Sequence, residues 1–312
     1  MGAALTGGVN TTVRQVVIVS CLSVVYLLLS AALVGFKSDQ LVLIGIFNVL
    51  YYASAISRKF VLGFSIFIVY WIIFDYMKAF PNYKYNPVHI ADLYNFEKQL
   101  FGIHEGGQLL TPNEYWHLHS TTILDIFGGI FYLCWVPVPL AFAAYLFFRD
   151  RKQFLYFSLT FVLVNFLGFI VYYLYPAAPP WYVQLHGFDF QAATRSNPAG
   201  LVRFDHYFHT GIFKSIYSKG SNVFAAMPSL HSSYPVIVLY YGLKNRLGFV
   251  NILFAVVMFG IWFTAIYASH HYIVDVIAGV ICAFCGIILF NFFNKRLKPF
   301  NRFMLYYQDN IR

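Results

Sequence analysis

The chain has 312 residues, 60% of them hydrophobic and 11% charged, with a formal net charge of +9. Soluble domains carry about 45–50% apolar and about 25% charged residues, so this balance excludes an ordinary water-soluble enzyme and points to a membrane protein. The positive charge lies in short clusters between apolar runs, which argues against a nucleic-acid surface and for charges that orient membrane spans.

A helix needs about 20 apolar residues to cross the hydrocarbon. In chain order, the runs predict spans at 14–36, 40–56, 60–79, 120–148, 153–175, 230–243, 247–268 and 271–294. The second is short, and the sixth is short and polar at its start. The expected fold is all-α, a polytopic transmembrane bundle of about eight spans. The first run has no small-residue cleavage site and reads as a retained span rather than a signal peptide. Pro137 and Pro139 predict a kink in the fourth span. Cys21, Cys134, Cys282 and Cys285 all fall in apolar runs and read as ordinary membrane residues, not a disulfide framework.

Eight spans put both termini on one side. That side then holds Arg14, Arg58, Lys59, Arg149, Arg151, Lys152, Lys244, Arg246, Lys295, Arg296, Lys298, Arg302 and Arg312, 13 of the 21 Lys and Arg. Its inter-span links are all short, the case for which positive charge marks the cytoplasmic face. Three parts are expected: a span pair over 1–58, a core over 59–295 and a cytoplasmic tail over 296–312.

The opposite side receives two long segments, 80–119 and 176–229. Leu93, Phe96, Leu100 and Ile103 recur at helical spacing with Asp92, Glu97 and Lys98 between them, which predicts an amphipathic helix at the interface over 88–103. Residues 176–229 are rich in Pro, Gly, Ser and Asn, and a loop of that length in a compact protein tends to be functional.

Two places break the apolar pattern with titratable groups. Met227-Pro228-Ser229-Leu230-His231 stands where the long outer loop enters the sixth span, and Ser269-His270-His271-Tyr272-Ile273-Val274-Asp275 at the outer end of the eighth. The predicted topology sets both at one depth on one side. His271 and Asp275 are four apart and share a helix face, whereas His270 lies about 140° around it. A carboxylate on one imidazole nitrogen fixes the tautomer and raises the basicity of the other, as a nucleophilic histidine needs. His231 is then available as general acid or base. A lone boundary histidine is more often bland, but an aspartate within a span marks function. Zinc held by two histidines and a carboxylate is the rival reading, without H-E-x-x-H or a cysteine cluster to support it.

Taken together, Pro228-Ser229-Leu230-His231 and His271-x-x-x-Asp275 resemble the second and third signature motifs of the type 2 phosphatidic acid phosphatase superfamily. The chain resembles most closely its inositol phosphorylceramide synthase branch. The supporting segments are Pro176-Ala177-Ala178-Pro179-Pro180-Trp181-Tyr182, Ala199-Gly200-Leu201-Val202-Arg203-Phe204-Asp205 and the Phe224–His231 entry, within a similarity over roughly 70–295.

The resemblance implies that His271 attacks phosphorus to form a phosphohistidine, oriented by Asp275, while His231 protonates the leaving oxygen and then activates the acceptor hydroxyl. It implies phosphatidylinositol as donor, ceramide as acceptor, and neither metal nor organic cofactor. The first superfamily motif, Lys-x6-Arg-Pro, is missing, and Thr264-Ala265 stands where the third usually begins with Ser-Arg. Phosphate still needs donors to offset charge on its oxygens. Arg203 is the favoured cation, over Arg195, Lys214 and Lys219. Ser229 reads as a phosphate donor, as the N-cap of the sixth span, or both. Pro180 and Trp181 are expected to shape the loop entry. Asp75 and Asp125 read either as partners of an active-site arginine or hydroxyl or as boundary residues. Three functions remain open here: lipid phosphotransfer, lipid phosphate hydrolysis by the same triad, and non-enzymatic lipid transport.

Overall fold

The computed structural model describes residues 12–220 and 222–312. Helix α1 (Val13–Val34) starts at Thr12, whose hydroxyl accepts from Gln15 N at 3.3 Å. Helix α2 (Ser38–Ala53) returns beside α3 (Ala55–Tyr76), which Ser54 caps through Ser57 N at 3.0 Å. The predicted fourth span is two helices, α6 (Thr122–Leu133) and α7 (Pro137–Arg149), broken at 134–136. Pro137 has no N–H to continue the α6 ladder and stands instead as the first residue of α7, where a missing N–H costs no hydrogen bond. Asp150 then turns the chain sharply: its carboxylate accepts from Lys152 N and Gln153 N and caps α8 (Arg151–Leu174). The last apolar helices are α12 (Leu230–Lys244), α13 (Val250–Tyr267) and α14 (Ile273–Arg296).

Among the described residues, six stretches are long and apolar enough to cross a membrane: Val13–Val34, Ala55–Ala79, Thr122–Arg149, Arg151–Leu174, Val250–Tyr267 and Ile273–Arg296. The predicted second and sixth spans are helices of only 16 and 15 residues. Most of α12 is nonetheless buried, packed among α8, α13 and α14. Leu, Ile, Val and Phe side chains stand exposed along α1, α2, α13 and α14, as helices facing lipid rather than water require.

The core lies between α8, α12 and α14, where Tyr234 OH donates to Asn165 Oδ1 at 2.6 Å and Thr160 pairs with Tyr241 OH at 2.8 Å. Helix α12 meets α14 at Gly279, where a Cβ would stand 2.2 Å from Ser229 O, so only glycine allows the approach.

Both long segments gather at one end of the bundle. The first contains α4 (Ala91–Phe101), a hairpin and α5 (Pro112–Leu118). The expected helix over 88–103 is thus shorter at both ends. Ile103–Glu105 and Gln108–Leu110 form antiparallel strands β1 and β2 around Gly106-Gly107, both left-handed at φ 57° and 80°, as a tight hairpin turn demands. Ile103 is therefore a strand residue. The described residues of segment 176–229 include the short α-helices α9 (Pro180–His186), α10 (Val202–Tyr207) and α11 (Ile212–Ser218). Backbone bridges join His89 to Ala177 and Ala177 to Ala225, and buried Asn82 donates to Tyr172 O and Phe224 O at 2.8 and 2.7 Å. The residues leading into α12 are thereby tied to both loops. The expected tail is largely helix α15 (Lys298–Asn310), docked by Tyr307 OH on Leu62 O at 2.7 Å.

Candidate active site

Ser229 is the N-cap of α12: its hydroxyl accepts from Ser232 N at 3.3 Å and from Ser232 Oγ at 3.0 Å. His231 is therefore the second residue of the helix, held by the edge of Trp135 (ring centroids 4.5 Å apart) and by Tyr132 (5.3 Å). Ser229 N donates to Asp275 O at 2.9 Å, which ties this entry to the start of α14.

At the second segment the local geometry differs from the helical pair expected. Tyr272 is the N-cap of α14, so His271 lies just before the helix rather than inside it. Ser269, left-handed at φ 60°, turns the chain out of α13. The amides of His270 and His271 both donate to Ala265 O, at 3.0 and 2.9 Å. Asp275 Oδ2 accepts from Tyr272 N at 2.9 Å and lies 3.7 Å from His271 Nδ1, longer than a hydrogen bond.

Across the gap, His231 Nδ1 and His271 Nε2 are 3.1 Å apart. His231, His271 and Asp275 thus converge, with Asp275 fully buried and His271 5% exposed. Both imidazoles open into a pocket of about 420 Å³, open mouth included, whose wall also contains His270, Trp181, Asn197 and Asn222. His270 belongs to this wall despite its different direction: its Nε2 bonds Pro198 O at 3.0 Å, with its ring between Tyr132 and Tyr217.

The remaining sequence candidates separate. Trp181 is buried in the wall and donates its amide to Ser269 O at 3.0 Å; Pro180 is the first residue of α9 behind it. Arg203 is outside the lining. Its Nε donates to Asp125 Oδ1 at 2.6 Å, Tyr267 OH donates to the same oxygen at 2.7 Å, and the guanidinium stacks on the Tyr267 ring. Asp125 thus meets both an arginine and a hydroxyl, one layer removed from the histidines. Asp75 pairs with Lys78 on its own turn. Lys219 pairs with Asp39 at 2.7 Å, and Lys214 is exposed. Among the described residues no group of three or more His, Cys, Asp or Glu is arranged to hold a metal ion.

Three residues escaped the sequence reading. Asn222 Nδ2 is buried at the pocket without a partner among the described residues, while its Oδ1 accepts from Phe224 N at 3.3 Å. Glu97, fully buried on α4, accepts from Ile273 N at 2.9 Å and Val274 N at 3.1 Å. Burial pushes its carboxyl up to about 7, against the two amides that favour the ion. Asn113 of α5, also fully buried, donates to Ile266 O and His271 O at 2.8 and 2.9 Å. The signal for Glu97 was its spacing: four residues after Leu93, it lies on the buried face of α4, while Phe96 and Leu100 are exposed.

Fold and site together define a helical integral membrane protein with a paired-histidine and aspartate centre at its loop-rich end. The profile of the PAP2 superfamily matches residues 92–289. A phosphoinositol dihydroceramide synthase of Bacteroides thetaiotaomicron is 44% identical over 301 residues, covering 96% of this chain and 99% of that protein. An inositol phosphorylceramide synthase of Candida albicans is 31% identical over 59% of this chain and 39% of its own length. A catalytic subunit of that synthase from Schizosaccharomyces pombe is 29% identical over 75% and 54%. No solved structure matches. The chain belongs to the PAP2 superfamily, in its inositol phosphorylceramide synthase branch.

Proposed function

We propose that the protein transfers inositol phosphate from phosphatidylinositol to a ceramide-type acceptor through a phosphohistidine on His271. The observation that carries this reading is the 3.1 Å approach of His231 Nδ1 to His271 Nε2, with Asp275 behind the far nitrogen of His271. The naming of the Bacteroides relative, which matches nearly end to end, supports the substrate class.

With the Nδ1 proton of His271 directed to Asp275, Nε2 carries the lone pair, and the shared contact assigns an N–H to His231 Nδ1. The donor's phosphoryl group enters between the two imidazoles. His271 Nε2 forms a bond to phosphorus as the phosphorus–oxygen bond to diacylglycerol breaks, and His231, entering this step as the imidazolium, gives that oxygen its Nδ1 proton and is left neutral. His231 then takes the proton of the acceptor hydroxyl, whose oxygen attacks phosphorus as the phosphorus–nitrogen bond breaks. The 3.7 Å gap to Asp275 closes as His271 becomes cationic, since catalytic hydrogen bonds often tighten only in the Michaelis or transition-state complex. The unpartnered Asn222 amide supplies a donor to the phosphoryl oxygens. Trp181 and Pro180 form the aromatic wall of the entry, Ser229 sets the start of α12, and Arg203 with Asp125 braces the loop behind the pocket. Asp75 is assigned a boundary role.

We place eight spans in the membrane, counting α2 and α12, because alternating the short basic links requires them. Helix α4 then lies along the outer interface, the pocket opens extracytoplasmically, and both termini face the cytoplasm.

Purified protein reconstituted with fluorescent ceramide and phosphatidylinositol is expected to yield a new inositol-bearing sphingolipid. Release of inorganic phosphate from lipid phosphates with no such product would make it a hydrolase. Lipid movement with neither product would make it a carrier.

A further inference from the structure

We propose that Glu97 and Asn113, both from the segment between the third and fourth predicted spans, are positioning residues that hold the backbone of His271 for attack. The proposal rests on the reading of His271 as nucleophile.

His271 precedes its helix, so the intrahelical hydrogen bonds that would otherwise fix its backbone are missing there. Five contacts replace them. His271 N donates to Ala265 O, and His271 O accepts from Asn113 Nδ2. Tyr272 N donates to Asp275 Oδ2, and the next two amides, of Ile273 and Val274, go one each to the two oxygens of Glu97. Asn113 uses its second amide hydrogen on Ile266 O, near the end of α13, so it joins the helix before the histidine to the histidine itself.

The chemistry of Glu97 argues against simple packing. Among the described residues its recorded hydrogen bonds are these two amides, and it forms no ion pair. Burying a carboxylate without a cation is costly unless hydrogen bonds and a helix N-terminus compensate it. A leucine would dock α4 on α14 with less penalty, but it would leave the Ile273 and Val274 amides without acceptors in a buried place. The carboxylate fixes direction as well as distance. Its bidentate grip sets the first turn of α14, which carries Asp275, relative to the residue that carries the reacting nitrogen. A shift of about 1 Å in such a group costs about 10²-fold in rate.

The test is steady-state kinetics in vesicles of defined phosphatidylinositol and ceramide content, with melting temperature measured on the same preparations. Glu97→Gln keeps the volume but turns one N–H acceptor into a donor facing an amide. It is expected to lower kcat about tenfold or more, with KM for both lipids within about twofold and melting little changed. Asn113→Ala is expected to do the same, and Glu97→Ala to be worse than Glu97→Gln. Wild-type kcat in Glu97→Gln would overturn the proposal. So would losses that track the folded fraction in all three variants, because the residues would then serve only to hold α4 and α5 in place. His271→Ala, run in parallel, separates the two ideas. Retained turnover there removes the nucleophile assignment itself, whereas an inactive His271→Ala beside a normal Glu97→Gln removes only the clamp.

Discussion

His271 and Asp275 lie four apart in sequence, yet the pairing is made by a helix cap rather than by a helix face: Tyr272 begins α14, and Asp275 turns back to accept its amide. His271→Ala is expected to abolish transfer, a loss of about 10³-fold or more, and to leave no acid-labile phosphoprotein when radiolabelled donor is added. His231→Ala is expected to lose about 10²–10⁴-fold, and Asp275→Asn to lose turnover severely, each with an unchanged elution profile. Near-normal turnover in any of them removes that residue from the scheme. Glu97 gives a pH prediction. Its carboxyl is raised from its ordinary value to about 7, chiefly by burial, so the folded protein holds that proton over a range where an unfolded chain releases it. Stability from this group therefore falls as pH rises through that range and levels off above 7. The groups facing it are Asp275 and Tyr272 of α14, with Tyr94 and Lys98 on its own helix and Glu114 of α5 beyond Tyr94. Only the ionised form accepts both amides, so turnover is expected to climb as pH rises through about 7. A rate profile of Glu97→Gln that keeps this limb would assign it to another group.

Helices were legible where apolar length alone decides. The sequence spans at 153–175 and 271–294 correspond to α8 and α14 within a few residues. The break at 134–136 was announced by its two prolines. Residues 103–110 were not legible as a hairpin, because the apolar spacing that suggests helix continues through Ile103 and the two glycines after Glu105 carry the turn. Helix α15 was hidden by its polar composition: only Met304 and Ile311 are buried from the segment that docks it. His231, His271 and Asp275 could be singled out as candidates because membrane spans penalise ionisable groups, so each one present stands out. Glu97, Asn113 and Asn222 lie in loops and short helices, where polar residues are ordinary and only the packing reveals a role. The tight crossing of α12 on α14 gives a further test. Gly279→Ala places a methyl against Ser229 O and must separate the helices that carry His231 and Asp275. It is expected to destabilise by about 1–3 kcal/mol and to depress kcat. Thermal unfolding and kinetics on one sample check both, and an unaltered enzyme would show that the helices part without harm.

For the whole chain, the charge pattern and the apolar runs agree on a polytopic bundle, and the count of eight depends on two helices of 16 and 15 residues. In a cysteine-free variant, a single cysteine in the 187–195 loop is expected to react with an impermeant maleimide from outside intact cells. One in the 245–248 turn is expected to react only after permeabilisation. Labelling of both from the same side would require α12 not to cross. The sphingolipid-synthase reading and the sidedness meet here, because the acceptor must then be presented in the outer leaflet.

Nε2 of His271, the nitrogen proposed to attack phosphorus, is engaged by its neighbour imidazole. On the proposed mechanism this contact acts as a latch: while it is made, a stray water or a free oxyanion meets no bare nucleophile. A headgroup gains entry only by binding firmly enough to part the two rings, so the energy of lipid recognition is coupled directly to exposure of the reactive atom. This favours lipid-to-lipid exchange over wasteful cleavage.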